Sequence, residues 1–129
     1  MKPQNPFGLH TVTPYLIVED VEAVLTFAQR IFGATTRGDP KRRDDGSVMH
    51  AEIAIGDSVV MMGEPQDDMG TFPGMLYVYV SDCDDTHRRA LDAGAHEVLP
   101  PADYPHGDRY GGVTDVAGNT WWIVTHTGA

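Results

Sequence analysis

His50 and Glu52 are the two side chains of this 129-residue chain best placed to do chemistry together. They stand two apart in Val48-Met49-His50-Ala51-Glu52-Ile53, and residues i and i+2 of a strand share a face. An imidazole beside a carboxylate can act as a general acid–base pair or offer two ligands to a metal ion. A solvent-facing polar row, opposite a buried Met49/Ala51/Ile53 row, accounts for the same pattern without any reaction. Arg109-Tyr110 is a second candidate, because it follows the Pro- and Gly-rich stretch 100–107. A guanidinium at a pocket rim would meet an anionic ligand group; the pair also reads as a plain strand start. The other histidines, His10, His87, His96, His106 and His126, fall on surface or loop segments without metal-type spacing. No Gly-x-Ser-x-Gly or His-Glu-x-x-His stretch supplies a recognised nucleophile or zinc motif.

The elements that must hold these residues come in two similar sets. Tyr15-Leu16-Ile17-Val18-Glu19-Asp20 and Tyr77-Val78-Tyr79-Val80-Ser81-Asp82 are both apolar strands running into acidic helix starts. Phe32-Gly33-Ala34 and Ala93-Gly94-Ala95 close the two helices, and the turns at Gly56-Asp57 and Gly118-Asn119 complete the repeat at one offset to within a residue. Asp20 caps the first helix, and Glu19 and Glu22 lie at the positive end of its dipole. Val21, Val24, Leu25, Ala28, Ile31 and Phe32 form its buried stripe, and Gly33 stops it. The second helix spans about 83–92, with a weaker stripe of Cys83, Thr86, Ala90 and Leu91. Strands follow at 48–55 and 58–62, then at 110–114 and 121–125. Residues 64–74, rich in Gly and Pro, link the halves.

Composition narrows the partners. Apolar residues make up 41% of the chain and charged residues 22%, an ordinary globular balance for a single domain. Nine basic against nineteen acidic residues give a net charge of −10, which opposes nucleic acid and anionic lipid. The basic run Lys41-Arg42-Arg43 is answered at once by Asp44-Asp45 and reads as a solvated hairpin tip. There is no signal-peptide pattern and no apolar run long enough to span a bilayer. One cysteine, Cys83, allows no internal disulfide, so a cytoplasmic setting is expected.

The ordered set Thr13-Pro14-Tyr15-Leu16-x-Val18-x-Asp20, Val48-Met49-His50-Ala51-Glu52, Gly56-Asp57-Ser58-Val59-Val60-Met61, Gly107-Asp108-Arg109-Tyr110-Gly111 and Asp115-x-x-Gly118-Asn119-x-Trp121 resembles the vicinal oxygen chelate superfamily. That superfamily includes glyoxalase I, bleomycin-resistance proteins and extradiol dioxygenases, and the PhnB-like branch looks most similar. The resemblance spans about residues 9–127. It implies an α+β fold of two tandem βαβββ modules, 9–63 and 75–127, forming a cupped mixed sheet. It also implies a homodimer whose modules from two chains complete each cavity.

Metal-dependent members of the superfamily hold an ion with four side chains from the first and last strands of each module. Counting from the Val-x-Asp anchors and the Gly turns, those positions fall on Thr13, Val60, Met75 and Trp122. Such a set is a poor ligand shell for a divalent ion, so neither metal nor other cofactor is expected. Their same-face neighbours complete an expected lining of Thr13, Tyr15, Val60, Met62, Met75, Tyr77, Trp122 and Val124. An apolar, aromatic lining with a few hydroxyls suits a flat small molecule. Two readings compete: a metal-free binder, similar to resistance proteins that sequester a drug, and an enzyme using His50 and Glu52. Trp122 is expected inside the cup and Trp121 toward the helices, since neighbours on a strand face opposite ways.

Overall fold

The structure is a computed structural model that describes residues 5–128. Strands β1 (Tyr15–Ile17), β2 (Thr35–Thr36), β3 (Lys41–Arg42), β4 (Val48–Ile55) and β5 (Ser58–Gly63) accompany helix α1 (Val21–Phe32). Strands β6 (Met75–Tyr79), β7 (His96–Asp103), β8 (Asp108–Thr114) and β9 (Thr120–His126) accompany helix α2 (Cys83–Asp92). The first sheet runs β1-β5-β4-β2, with β3 also on β4; the second runs β6-β9-β8-β7. In each, the strand before the helix pairs in parallel with the last strand, and the remaining pairs are antiparallel. The α+β duplicated architecture read from the repeat is therefore present, as two sheets.

Local chemistry explains both helices. The Asp20 carboxylate accepts from the Ala23 amide at 3.1 Å, and Asp82 does the same for Asp85 at 3.2 Å. Glu64 adds a tie, accepting from the Val21 amide at 3.0 Å and the Val48 amide at 2.8 Å. Gly33 ends α1 in the left-handed region, at φ 66°, where a side chain would be strained. The buried stripe of α1 is Val21, Val24, Leu25, Phe27, Ala28 and Ile31. On α2 the stripe is Cys83, Thr86, His87 and Ala90, while the expected Leu91 is exposed. His87 is thus a core residue rather than a surface one, with Nε2 2.8 Å from Glu97 Oε1. The strand β7 was not expected through Pro100-Pro101. Proline is tolerated there because β7 is the sheet's edge, and two register shifts interrupt its pairing with β8.

One core serves both modules. Trp121 of β9 is 0% exposed and lies against Phe27 and Phe32 of α1, with ring centroids 6.2 and 5.3 Å away. Its indole N–H donates to Asp115 at 2.8 Å, and Asp115 also accepts from Asn119. Asn119 in turn accepts from the Gly74 amide at 2.8 Å, fastening the end of the linker to the β8–β9 turn. The Asp115-x-x-Gly118-Asn119-x-Trp121 stretch is therefore a structural brace. Because the helix-side faces of both sheets meet this core, the opposite faces point away from it. Those open faces carry the candidate site. No helix among the described residues is long and apolar enough to cross a membrane.

Candidate functional site

Cross-strand partners share a face, so register decides which side chains can meet a ligand. Tyr15 pairs with Met61, and Met61 pairs with Glu52 on the far side, placing all three on the open face. Val60 and Met62 pair instead with Ile53 and Ala51, and all four are buried in the core. The expectation that Val60 and Met62 line the cup with Tyr15 is corrected; Met61 takes that place. The cause is turn length. In the first module Gly56–Asp57 alone turn the chain, whereas Asp115 to Asn119 separate β8 from β9 in the second. Counting from each glycine slips by one residue, and a one-residue slip inverts every side chain.

On the first open face the structure joins four polar groups in a chain. The Tyr15 hydroxyl lies 3.2 Å from His50 Nδ1, and His50 Nε2 lies 2.8 Å from Glu52 Oε2. Arg37 donates to Glu52 Oε1 at 2.8 Å and to the Phe7 carbonyl at 2.6 Å. A carboxylate at Nε2 selects the tautomer with its proton there, which leaves Nδ1 to accept from Tyr15. His50 and Glu52 do share a face, as their spacing requires; Arg37 belongs with them and was not singled out in the sequence. The arrangement can relay a proton between a group at Tyr15 and the imidazole. Met49, expected in the buried row, is exposed.

The second open face is aromatic. Met75, Tyr77 and Tyr79 alternate along β6; Trp122 and Val124 face Tyr77 and Tyr79 from β9, and Tyr110 stands opposite Val124 on β8. Tyr77 meets Tyr79 edge-on at 5.5 Å and Tyr110 at 5.9 Å, and Tyr110 meets Trp122 edge-on at 5.9 Å. Tyr104 stacks on Tyr110 at 4.1 Å. The Trp122 indole lies against Gly112, where a Cβ would come within 2.3 Å of Cζ3. Trp122 and Trp121 face as their adjacency predicts. Val124 shares the open face but is fully covered by its neighbours.

At the end of this wall sits Asp108, only 4% exposed. Tyr77 donates to its carboxylate at 2.7 Å, Tyr79 at 3.4 Å and His126 Nδ1 at 2.7 Å, with His106 Nε2 3.4 Å away. Donation from His126 and Tyr77 holds the Asp108 carboxyl below the usual carboxylate range. Burial, then the bond to Asp108, pushes the Tyr77 phenol up. Burial, with Tyr104 alongside, raises Tyr110 as well. Asp108, His126 and Tyr79 were missed in the sequence. The alternation Trp122, Val124, His126 and Asp108, Tyr110, Gly112 carried the signal.

Arg109 does not reach this face. It points to the helix side, where Nε and Nη2 donate to Asp84 at 2.8 and 3.0 Å, and its expected place at a pocket rim is corrected by that bidentate pair. Tyr110, its neighbour, takes the open face instead. Thr13, Met75 and Tyr77 border a cleft of about 910 Å³ along the free edge of β6. Val60 borders it from the core side, together with Ile31 and Phe32. Register sets Met61 opposite Tyr15 as it sets Trp122 opposite Tyr77; at the family's metal positions these two join Thr13 and Met75, a donor set without imidazole or carboxylate that does not fit a divalent ion.

Comparison with known proteins places this geometry. A family model described as the Glyoxalase/Bleomycin resistance protein/Dioxygenase superfamily matches residues 8–123. The uncharacterized protein Mb0911c of Mycobacterium bovis is 32% identical over 121 residues, covering 85% of this chain and 79% of its own length. Among solved structures, TioX from Micromonospora sp. ML1 superposes with a TM-score of 0.69 at 26% identity, covering 93% of this chain and 98% of TioX. A PhnB protein from Bacillus cereus gives 0.72 at 22% identity, covering 90% and 99% of the two chains, a likeness of fold.

Proposed function

The chain belongs to the glyoxalase/bleomycin resistance protein/dioxygenase superfamily, and from that premise we propose that it binds a small planar organic molecule on the aromatic face of its second module, without a metal ion. The observation that carries this reading is the wall of Tyr77, Tyr110 and Trp122, with an indole at the last-strand position where a ligating side chain would otherwise stand. Edge-to-face rings leave flat surfaces on which a guest can stack. Calorimetric titration with 2-naphthol tests it. Saturable binding that weakens about tenfold in Trp122→Ala supports the reading; no binding, or binding indifferent to Trp122, removes it. Sequestering a toxic compound, as a resistance protein does, is one use of such a site, and a cytoplasmic setting suits the lone buried thiol, Cys83.

The binding unit is a homodimer in this proposal. Tyr15, Met75 and Tyr79 are 46%, 69% and 62% exposed, and one edge of β6 has no strand partner among the described residues; a second copy would cover them and wall the site. A mass near 14.1 kDa by light scattering at micromolar concentration counts against it.

A second reading rests on the Tyr15–His50–Glu52–Arg37 chain. It has the parts of a general acid–base relay, with Glu52 orienting His50 and Tyr15 at the exposed tip. Turnover of any substrate that Glu52→Gln abolishes, with binding intact, would favour it over pure binding.

A further inference from the structure

We infer that the guest of the second module's aromatic face is an organic cation, a planar ring carrying a quaternary or protonated nitrogen. This rests on the binding role proposed above and adds the charge of what is bound.

Three observations carry it. The first is the sign of the fixed charge. Asp108 lies at the hydroxyl end of Tyr77 and Tyr79, and every polar contact it makes is with a donor. Four donors around one carboxylate favour its ionised form, so the wall ends at a buried anion. Two of those donors are the phenols themselves. Donating to Asp108 leaves their oxygens richer in electron density.

The second is the form of the wall. Tyr77, Tyr79, Tyr110 and Trp122 meet at steep angles, 80° for Tyr77–Tyr79, 62° for Tyr77–Tyr110 and 77° for Tyr110–Trp122. Rings set edge to face along a row leave electron-rich faces toward the open side, the feature that attracts a soft cation.

The third is the lack of any lysine or arginine on that face. The strands β6 to β9 contain a single arginine and no lysine. That arginine, Arg109, lies on the other face and is held by Asp84. The imidazoles there, His106 and His126, are turned to Asp108, so an anionic guest would have to compete with that carboxylate for them. The chain's net charge of −10 draws cations toward the surface as a whole.

Three probes of one shape decide the matter: phenyltrimethylammonium, its neutral isostere tert-butylbenzene, and the anion benzenesulfonate, each titrated into the full chain at pH 8. The expected order is the cation about tenfold tighter than the neutral ring, with the anion weakest. The cation's advantage should shrink as salt is raised from 20 to 300 mM, while the neutral probe stays constant. Asp108→Asn should bring the cation-to-neutral ratio close to one. Should that variant fail to fold, Tyr77→Phe, which keeps the ring and removes its bond to Asp108, should lower the same ratio. Equal affinity of cation and neutral ring overturns the inference and leaves planar binding standing. Absence of binding by all three overturns both.

Discussion

Asp108 and His126 stand directly opposite each other on β8 and β9, the imidazole Nδ1 2.7 Å from the carboxylate. The pairing fixes the sign of a pH effect. The folded-state pKa of Asp108 is depressed, by His126 first and Tyr77 second, so its contribution is complete above the unfolded value of about 3.9. It is lost as the pH falls through the folded value. Asp84, held down by Arg109, acts in the same direction. Melting temperatures of the wild type should therefore drop as pH falls from about 4.5 toward 2.5. Asp108→Asn should start lower at neutral pH and fall less steeply, because one of the carboxylates held below the usual range no longer titrates. Parallel curves for the two proteins would count against this role for Asp108.

Trp121 and Trp122 should separate stability from binding. Trp121→Ala removes a fully buried indole set against Phe27 and Phe32, at a cost of about 3–5 kcal/mol measured by denaturant unfolding. Trp122→Ala should stay folded and lose about tenfold in affinity for a planar guest. The reverse outcome would invert the facing of β9.

Gly112→Ala places a methyl where the indole of Trp122 now rests. The ring must shift from its present place to admit it. A stability loss of about 1–3 kcal/mol should accompany weakened binding, although position 112 itself touches no guest. Unchanged affinity in a folded variant would show that the position of the indole is unimportant.

Arg37 and Glu52 are both largely screened from water, so breaking their pair should cost more than the ~1 kcal/mol typical of an exposed ion pair. Nitrogen-15 NMR of His50 should show its proton on Nε2 in the wild type. Glu52→Gln should release that tautomer preference, because the charged acceptor at Nε2 is gone. A His50 already protonated on Nδ1 in the wild type would contradict the relay.

The duplication, both helix caps and the facing of the two tryptophans are legible in the sequence because each depends on local spacing. What failed depends on comparing one module with another or on pairing across strands. Val60 and Met62 were assigned to the wrong face because two turns of unequal length were treated as equivalent anchors. Asp108 and His126 each lie on an alternation that marks the open face, but their meeting is set by the β8–β9 register. Arg109 looked like a rim residue because nothing in its neighbourhood announced Asp84, distant in sequence on α2. The strand β7 was hidden by two prolines that an edge position can accept.

The adjacency of Trp121 and Trp122 has one further consequence, an optical one. The two indoles are joined through one peptide bond yet lie in different solvents, one sealed in the core and the other half open. Their emission should therefore divide into a blue component that acrylamide cannot reach and a redder one that it quenches. The first tracks the integrity of the shared core and the second the occupancy of the aromatic face. Unfolding and ligand capture can thus be followed in the same cuvette, at two wavelengths, without a label.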